Sequence, residues 1–253
     1  MRTPTTSILR ETEMDLWTPP VHSAFQIQLS DYPPDLDAHA DIFELDLFEV
    51  TRDDIRYLHD QGKKVICYFN AGAWEEFRPD AGDFPPSVIG NLYIGWPGEK
   101  WLDISRYEDF SGLMISRINL AAEKGCDGID PDNVNAYQHK SGFDITAQDQ
   151  FIYNRWLADQ AHAHGLTIGL KNNGGQVKDL VNHFDFAVLE DCSIFNECNL
   201  FLPFIEQSKA VFQIEYTDHY ESLASLCKGD RISDFNILLK NRSLDAFVQY
   251  YNK

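Results

Sequence analysis

No stretch of this chain is apolar for the ~20 residues that a bilayer-spanning helix needs. The first residues, MRTPTTSILRETEMDLWTPP, lack the apolar core of a secretory signal. Basic side chains are scarce: 21 Lys and Arg stand against 40 Asp and Glu, a formal charge of −19. A field of that sign repels nucleic acid and anionic membrane, so neither is expected as a partner. It serves solubility, and it also attracts a cationic substrate. Zinc spacings are missing as well. There is no C-x-x-C and no H-E-x-x-H, and only His162 and His164 among the histidines are close neighbours, two apart on a helix where their side chains diverge. An Asp-x-Asp-Asn cluster begins at Asp130, but the repeated acids and glycine of a calcium loop do not follow it. Neither metal nor cofactor is expected. The absence of G-x-S-x-G argues against a serine hydrolase of the nucleophile-elbow type.

What is present is an ordinary globular composition, 43% hydrophobic and 13% aromatic over 253 residues. Of the five cysteines, Cys192 and Cys198 are near enough in sequence to close a small loop in an oxidising compartment; buried free thiols are the other reading. Short apolar runs alternate with amphipathic stretches. Strands are expected at 25–29, 42–48, 64–70, 128–130, 166–172, 186–191, 210–216 and 235–240. Helices are expected after the capping-type starts at Thr51 and Thr146, over 110–124 before Gly125, and over 244–251 after Ser243. Eight strands alternating with helices in this length match a single-domain (β/α)8 TIM barrel over 17–253, with residues 1–16 as a tail. A doubly wound sheet is the alternative, but Leu29 is followed by Ser-Asp-Tyr-Pro-Pro and not by a glycine-rich phosphate loop. The long segment 71–105 carries Trp74, Trp96 and Trp101 and is expected to serve the site.

Barrel sites lie at the C-terminal strand ends. Those ends hold Glu44 and Asp46, Tyr68 and Asn70, Asp130, Asp132 and Asn133, Lys171 and Asn172, Glu190 and Asp191, and Glu215 and Tyr216. In IFELDLF the apolar residues share one face and Glu44 and Asp46 the other, so the acids point into the barrel. Single strand-end acids also serve as helix caps, but charges at this many strand ends fit an open, wetted pocket. In GIDPDNVNAY, Asp130 and Asp132 share strand parity, and Pro131 is expected to stop the ladder and turn the chain outward. Paired carboxylates from different strands are the equipment of glycoside hydrolysis, and Asp132 and Glu190 are such a pair.

The segments CYFNAG, WLDIS, GCDGIDPDNVNAY, TAQDQFIYNRWLADQAHAHGLTIGLKN, LEDCSIFNEC and VFQIEY, in that order from Trp17 to Lys240, resemble glycoside hydrolase family 114, the endo-α-1,4-polygalactosaminidases. The resemblance implies a (β/α)8 barrel that cleaves an α-1,4-linked galactosamine polysaccharide, with retention at the anomeric carbon. Such a cationic polymer suits the charge of −19. It implies Asp132 as nucleophile and Glu190 as acid/base, with Asp130 the rival of Asp132. Sugar contacts fall to Asp46, Tyr68, Asp130, Asn133, Tyr137, Lys171, Asn172 and Glu215, and to Trp96 or Trp101 where these are not core residues. Lys171 would keep a site acid ionised and disfavour an amine beside it. The resemblance also implies disulfides Cys192–Cys198 and Cys67–Cys126, with Cys227 single, and an extracellular enzyme, although the N-terminal residues show no export signal. Leu189 and Asn135 depart from the family pattern. A barrel that binds glycan without cleaving it, or a glycosidase for another sugar, are the competing functions.

Overall fold

A computed structural model describes residues 16–223 and 234–250. Its main sheet runs β1 (Phe25–Gln28), β2 (Ile42–Asp46), β3 (Lys64–Asn70), β7 (Gly128–Asp132), β8 (Thr167–Lys171), β9 (Phe186–Glu190), β10 (Val211–Tyr216), β11 (Asn236–Lys240) and β12 (Val248–Tyr250) in spatial order. The first eight are parallel, and β12 returns antiparallel along β11. Between β3 and β7 the chain makes an excursion, the antiparallel strands β4 (Ala73–Glu75), β5 (Ile89–Leu92) and β6 (Glu99–Leu102). Helices α1 (Arg52–Asp60), α2 (Ser111–Lys124) and α3 (Ala147–Ala163) cover the outside, with short turns α4 (Val177–Leu180), α5 (Cys192–Phe195) and α6 (Leu202–Glu206). The β1–β2 connection contains no helix, which departs from a regular (β/α)8 repeat.

Strand parity divides the apolar residues into two clusters. Phe43, Leu45, Val65, Phe69, Ile129 and Leu170 pack outward with Leu58, Ile118 and Leu157 of the helices. Phe25, Ile27, Ile66, Phe186, Phe212 and Ile214 fill the barrel floor, where the Phe25 and Phe212 rings stack at 4.1 Å. Burying each such side chain is worth ~1.5–3 kcal/mol. Toward the C-terminal strand ends the inward face changes from these apolar residues to Glu44 of β2, Asp130 of β7, Lys171 of β8 and Glu190 of β9. That change makes the C-terminal mouth the polar end.

Helix ends follow local chemistry. Thr51 accepts from Asp54 N while Asp54 caps Thr51 N, and Thr146 and Asp149 repeat the arrangement. Gly125 ends α2 at φ +97°. The helix expected over 244–251 is not formed within the described residues. The segment instead fills the seam between β11 and β1: Leu244 O accepts from Leu29 N and Ser30 N, and Gln26 Nε2 donates to Ala246 O. Exposed edges of β1 and β11 demand backbone partners there, and a helix would have spent its own internally.

Two disulfides are present. Cys67–Cys126 ties β3 to the chain entering β7, and Cys192–Cys198 closes α5. Cys227 lies outside the described residues, as does the segment 1–15 of the expected tail.

Candidate active site

Three neighbouring strands end in the same way. Asp132, Lys171 and Glu190 close β7, β8 and β9, and each is followed by a residue in the left-handed region: Asn133 at φ +61°, Asn172 at +52° and Asp191 at +56°. Short Asx side chains tolerate that conformation best after glycine. It turns the backbone away from the barrel directly after the functional side chain. The turn expected of Pro131 is therefore made by Asn133. Pro131 ends only the ladder toward β8, which stops at Ile129, while β7 stays paired with β3 through Asp132. Gly72 lets the end of β3 lie against this turn, since a Cβ there would stand 1.8 Å from Asn133 O.

The side chains converge on Lys171, itself 2% exposed. Its Nζ lies 3.3 Å from Asp130 Oδ2, 3.6 Å from Asp132 Oδ1 and 3.3 Å from Glu190 Oε2. Burial alone would lower its pKa, but the surrounding carboxylates outweigh that and hold it well above the usual lysine value. Tyr68 OH donates to Asp132 Oδ2 at 2.8 Å, and Tyr216 OH makes a short hydrogen bond to Glu190 Oε1. Asn172 clasps Glu190 from both sides, Nδ2 donating to Oε2 and Oδ1 accepting from Glu190 N. Burial pushes Glu190 up, yet Lys171 and these hydrogen bonds pull it below the usual carboxylate range, so it rests ionised. Both tyrosines are held neutral, chiefly by burial and then by the carboxylate each one faces.

Beneath them, Glu44 is buried, and burial followed by the Asp130 charge raises its pKa well above normal. Glu44 Oε1 and Oε2 and Asp130 Oδ1 have no donor among the described residues. A proton kept on Glu44 and shared with Asp130 supplies one. Glu44 is thus a neutral acid under the ion cluster.

Above lies a cavity of about 740 Å3 lined by Asp132, Glu190, Lys171, Tyr68, Asn133 and Asn172, and by Asp46 and Trp96. Trp96 is half exposed at its rim, whereas Trp101 is buried and stacked on His139 at 4.5 Å. Asp46 is committed to Arg78, with Nη2–Oδ2 at 2.7 Å. Three expected sugar contacts do not line the cavity. Asp130 is fully buried one layer below Asp132. Tyr137 is turned aside, its hydroxyl hydrogen-bonded to Gln138 and Asn173. Glu215 points outward and accepts from Ser193 N at 2.9 Å and from Gln213. At β10 the outer face is polar: α5 is so short that its free N–H groups need polar acceptors from the strand. Tyr216 takes the inward place. Glu75, Arg78, Glu99, Phe77 and Phe195 also line the cavity, unforeseen because they come from the excursion and from α5.

A parallel barrel whose mouth gathers carboxylates from separate strands around one cation has the equipment of a glycoside hydrolase. The chain belongs to glycoside-hydrolase family GH114, whose model matches residues 6–253. Among solved structures it is similar to Aspergillus fumigatus Ega3, crystallised in complex with galactosamine, at 36% identity and TM-score 0.88, over 93% of this chain and 97% of that one. The glycoside hydrolase domain of PelA from Pseudomonas aeruginosa shares the fold, at 14% identity and TM-score 0.67 over 89% and 97% of the two chains. A comparison with curated proteins finds no match.

Proposed function

We propose that this enzyme cleaves α-1,4-linked galactosamine polysaccharide internally and with retention, using Asp132 and Glu190. The observation that carries the reading is their meeting on Lys171 Nζ at the cavity floor, at 3.6 and 3.3 Å. Asp132 Oδ1 and Glu190 Oε2 therefore lie no more than about 7 Å apart, a bound that admits the ~5–5.5 Å of retaining pairs. The galactosamine held by Ega3 and the charge of −19 support a cationic amino-sugar polymer as substrate. The two disulfides support an extracellular place of work, since they form in oxidising compartments.

In the first step a carboxylate oxygen of Asp132 bonds to the anomeric carbon as the glycosidic C–O bond breaks. The departing oxygen keeps the electron pair and takes a proton from Glu190. In the second step Glu190, now ionised, removes a proton from water as that water bonds to the anomeric carbon and releases Asp132. Tyr68 and Lys171 hold Asp132 in place. Glu190 rests ionised, so it must gain a proton before the first step, and activity is expected to fall as pH rises. Release of reducing ends from deacetylated polygalactosamine tests the proposal. Wild type is expected to turn over, and Asp132→Asn and Glu190→Gln to lose at least about 100-fold, given the 10²–10⁴-fold worth of a general acid alone. No turnover by wild type on any amino-sugar polymer would favour a binding protein.

A further inference from the structure

The cavity wall holds one carboxylate whose place in the site is unexplained. Glu99 stands on β6 directly opposite Glu75 of β4. Like charges opposite one another in an antiparallel pair repel. Arg78 pairs directly with Glu75, through Nε–Oε2 at 2.7 Å and Nη2–Oε1 at 3.0 Å, and with Asp46, and acts on Glu99 only as a more distant charge. Among the described residues no cation lies within 4 Å of Glu99, and its single hydrogen bond comes from Asn70 Nδ2 at 3.3 Å. It is nonetheless 8% exposed and lines the cavity. The other cations of the wall are taken: Lys171 by Asp130, Asp132 and Glu190, and Arg242 by Asp191 and Asp218. Glu49 and Glu197 also line the cavity but are solvated on its rim, where an unpaired charge costs little. Asn70, which binds Glu99, is the register partner of Asp132 on β7, so Glu99 stands on the wall beside the proposed nucleophile. An unpaired acid at such a position is unfavourable in the empty site, and a bound cation would relieve it.

We propose that Glu99 receives a free ammonium of the sugar bound beside Asp132, and so selects de-N-acetylated units at that subsite; this rests on the substrate reading above. Lys171, on the floor of the site, repels an amine, so the two charges orient the sugar. The groups that act on Glu99 are Glu75, Asp132, Arg78 and Tyr93. Burial, then Glu75 and Asp132, lift its carboxyl to about 8. In the empty site near pH 6.5 it therefore carries a proton, which an arriving ammonium displaces.

Kinetics on fully deacetylated and on partly N-acetylated polygalactosamine, with wild type, Glu99→Gln and Glu99→Asp, test this. Glu99→Gln is expected to lose about 10–100-fold in kcat/KM on the deacetylated polymer, mostly through KM, the scale of one charge-assisted hydrogen bond. It should lose clearly less on the acetylated polymer, and Glu99→Asp should recover part of the deficit. Calorimetry with a galactosamine trisaccharide at pH 6.5, in buffers of different ionisation enthalpy, should show release of about one proton from the Glu190→Gln protein and none from Glu190→Gln/Glu99→Gln. Thermal melts establish that each variant is folded. A folded Glu99→Gln within twofold of wild type on both polymers, or unchanged proton release, overturns the assignment while the substrate reading stands. Failure of wild type to bind or cleave either polymer removes the substrate reading and the assignment with it.

Discussion

Replacing Tyr216 by Phe removes one oxygen from the site and little else. The ring stays under the Arg242 guanidinium, 3.9 Å from its centroid, and the fold keeps its packing. What is lost is the hydrogen bond to Glu190 Oε1. A hydrogen bond to a charged group is worth ~1.5–3 kcal/mol, and 1.36 kcal/mol corresponds to one pKa unit, so Glu190 should rise by roughly 1–2 units. Lys171 and Asn172, each 3.3 Å from Glu190 Oε2, remain and argue for the lower half of that range. The sign follows from the role. If Glu190 is the proton donor, kcat/KM falls as pH rises through its pKa, and the alkaline limb moves to higher pH by about 1 unit. The assay is kcat/KM for polygalactosamine cleavage from pH 3 to 9, with thermal melts to confirm folding. Limbs that stay within about 0.3 unit of wild type would refute the reasoning, and movement of the acidic limb alone would reverse the roles of Glu190 and Asp132.

Lys171→Met leaves Asp130, Asp132 and Glu190 without their shared cation, and breaking a buried pair this way costs ~3–5 kcal/mol. Urea melts should show that loss near neutral pH and a smaller one at pH 4, where Asp130, raised by burial to about 6, takes up a proton. Glu99→Gln should stabilise the protein increasingly with pH. The folded state keeps the Glu99 proton up to about 8 and the unfolded chain loses it near 4.5, so Glu99 lowers wild-type stability across that window, a contribution the variant lacks. The difference in Tm between variant and wild type should therefore grow from pH 5 to pH 9, and a constant difference would contradict the placement of Glu99.

Much of this was legible because inward and outward faces follow strand parity. IFELDLF places Glu44 and Asp46 inward by alternation alone, and all eight parallel strands were recognisable as apolar runs. The three left-handed Asx turns were visible only as the pairs Asp-Asn, Lys-Asn and Glu-Asp, whose meaning depends on where the strands end. Glu215, expected at the pocket from its place at a strand end, faces outward because its outer neighbour is a helix N-terminus and not an apolar helix face. The excursion strands, three or four residues long and carrying Glu, Lys and Gly, have no periodicity to read, so Glu75 and Glu99 went unnoticed. The final segment reads as a helix locally, and only the open seam of the barrel makes it a strand.

The central claim is that Asp132 forms the bond to the anomeric carbon. Mass spectrometry of peptides from enzyme quenched during reaction with an activated fluorinated galactosaminide tests it most directly. The account predicts one glycosyl adduct on the peptide carrying Asp132, localised to that residue by fragmentation. An adduct on Glu190, or continued turnover with no adduct on either carboxylate, would contradict it.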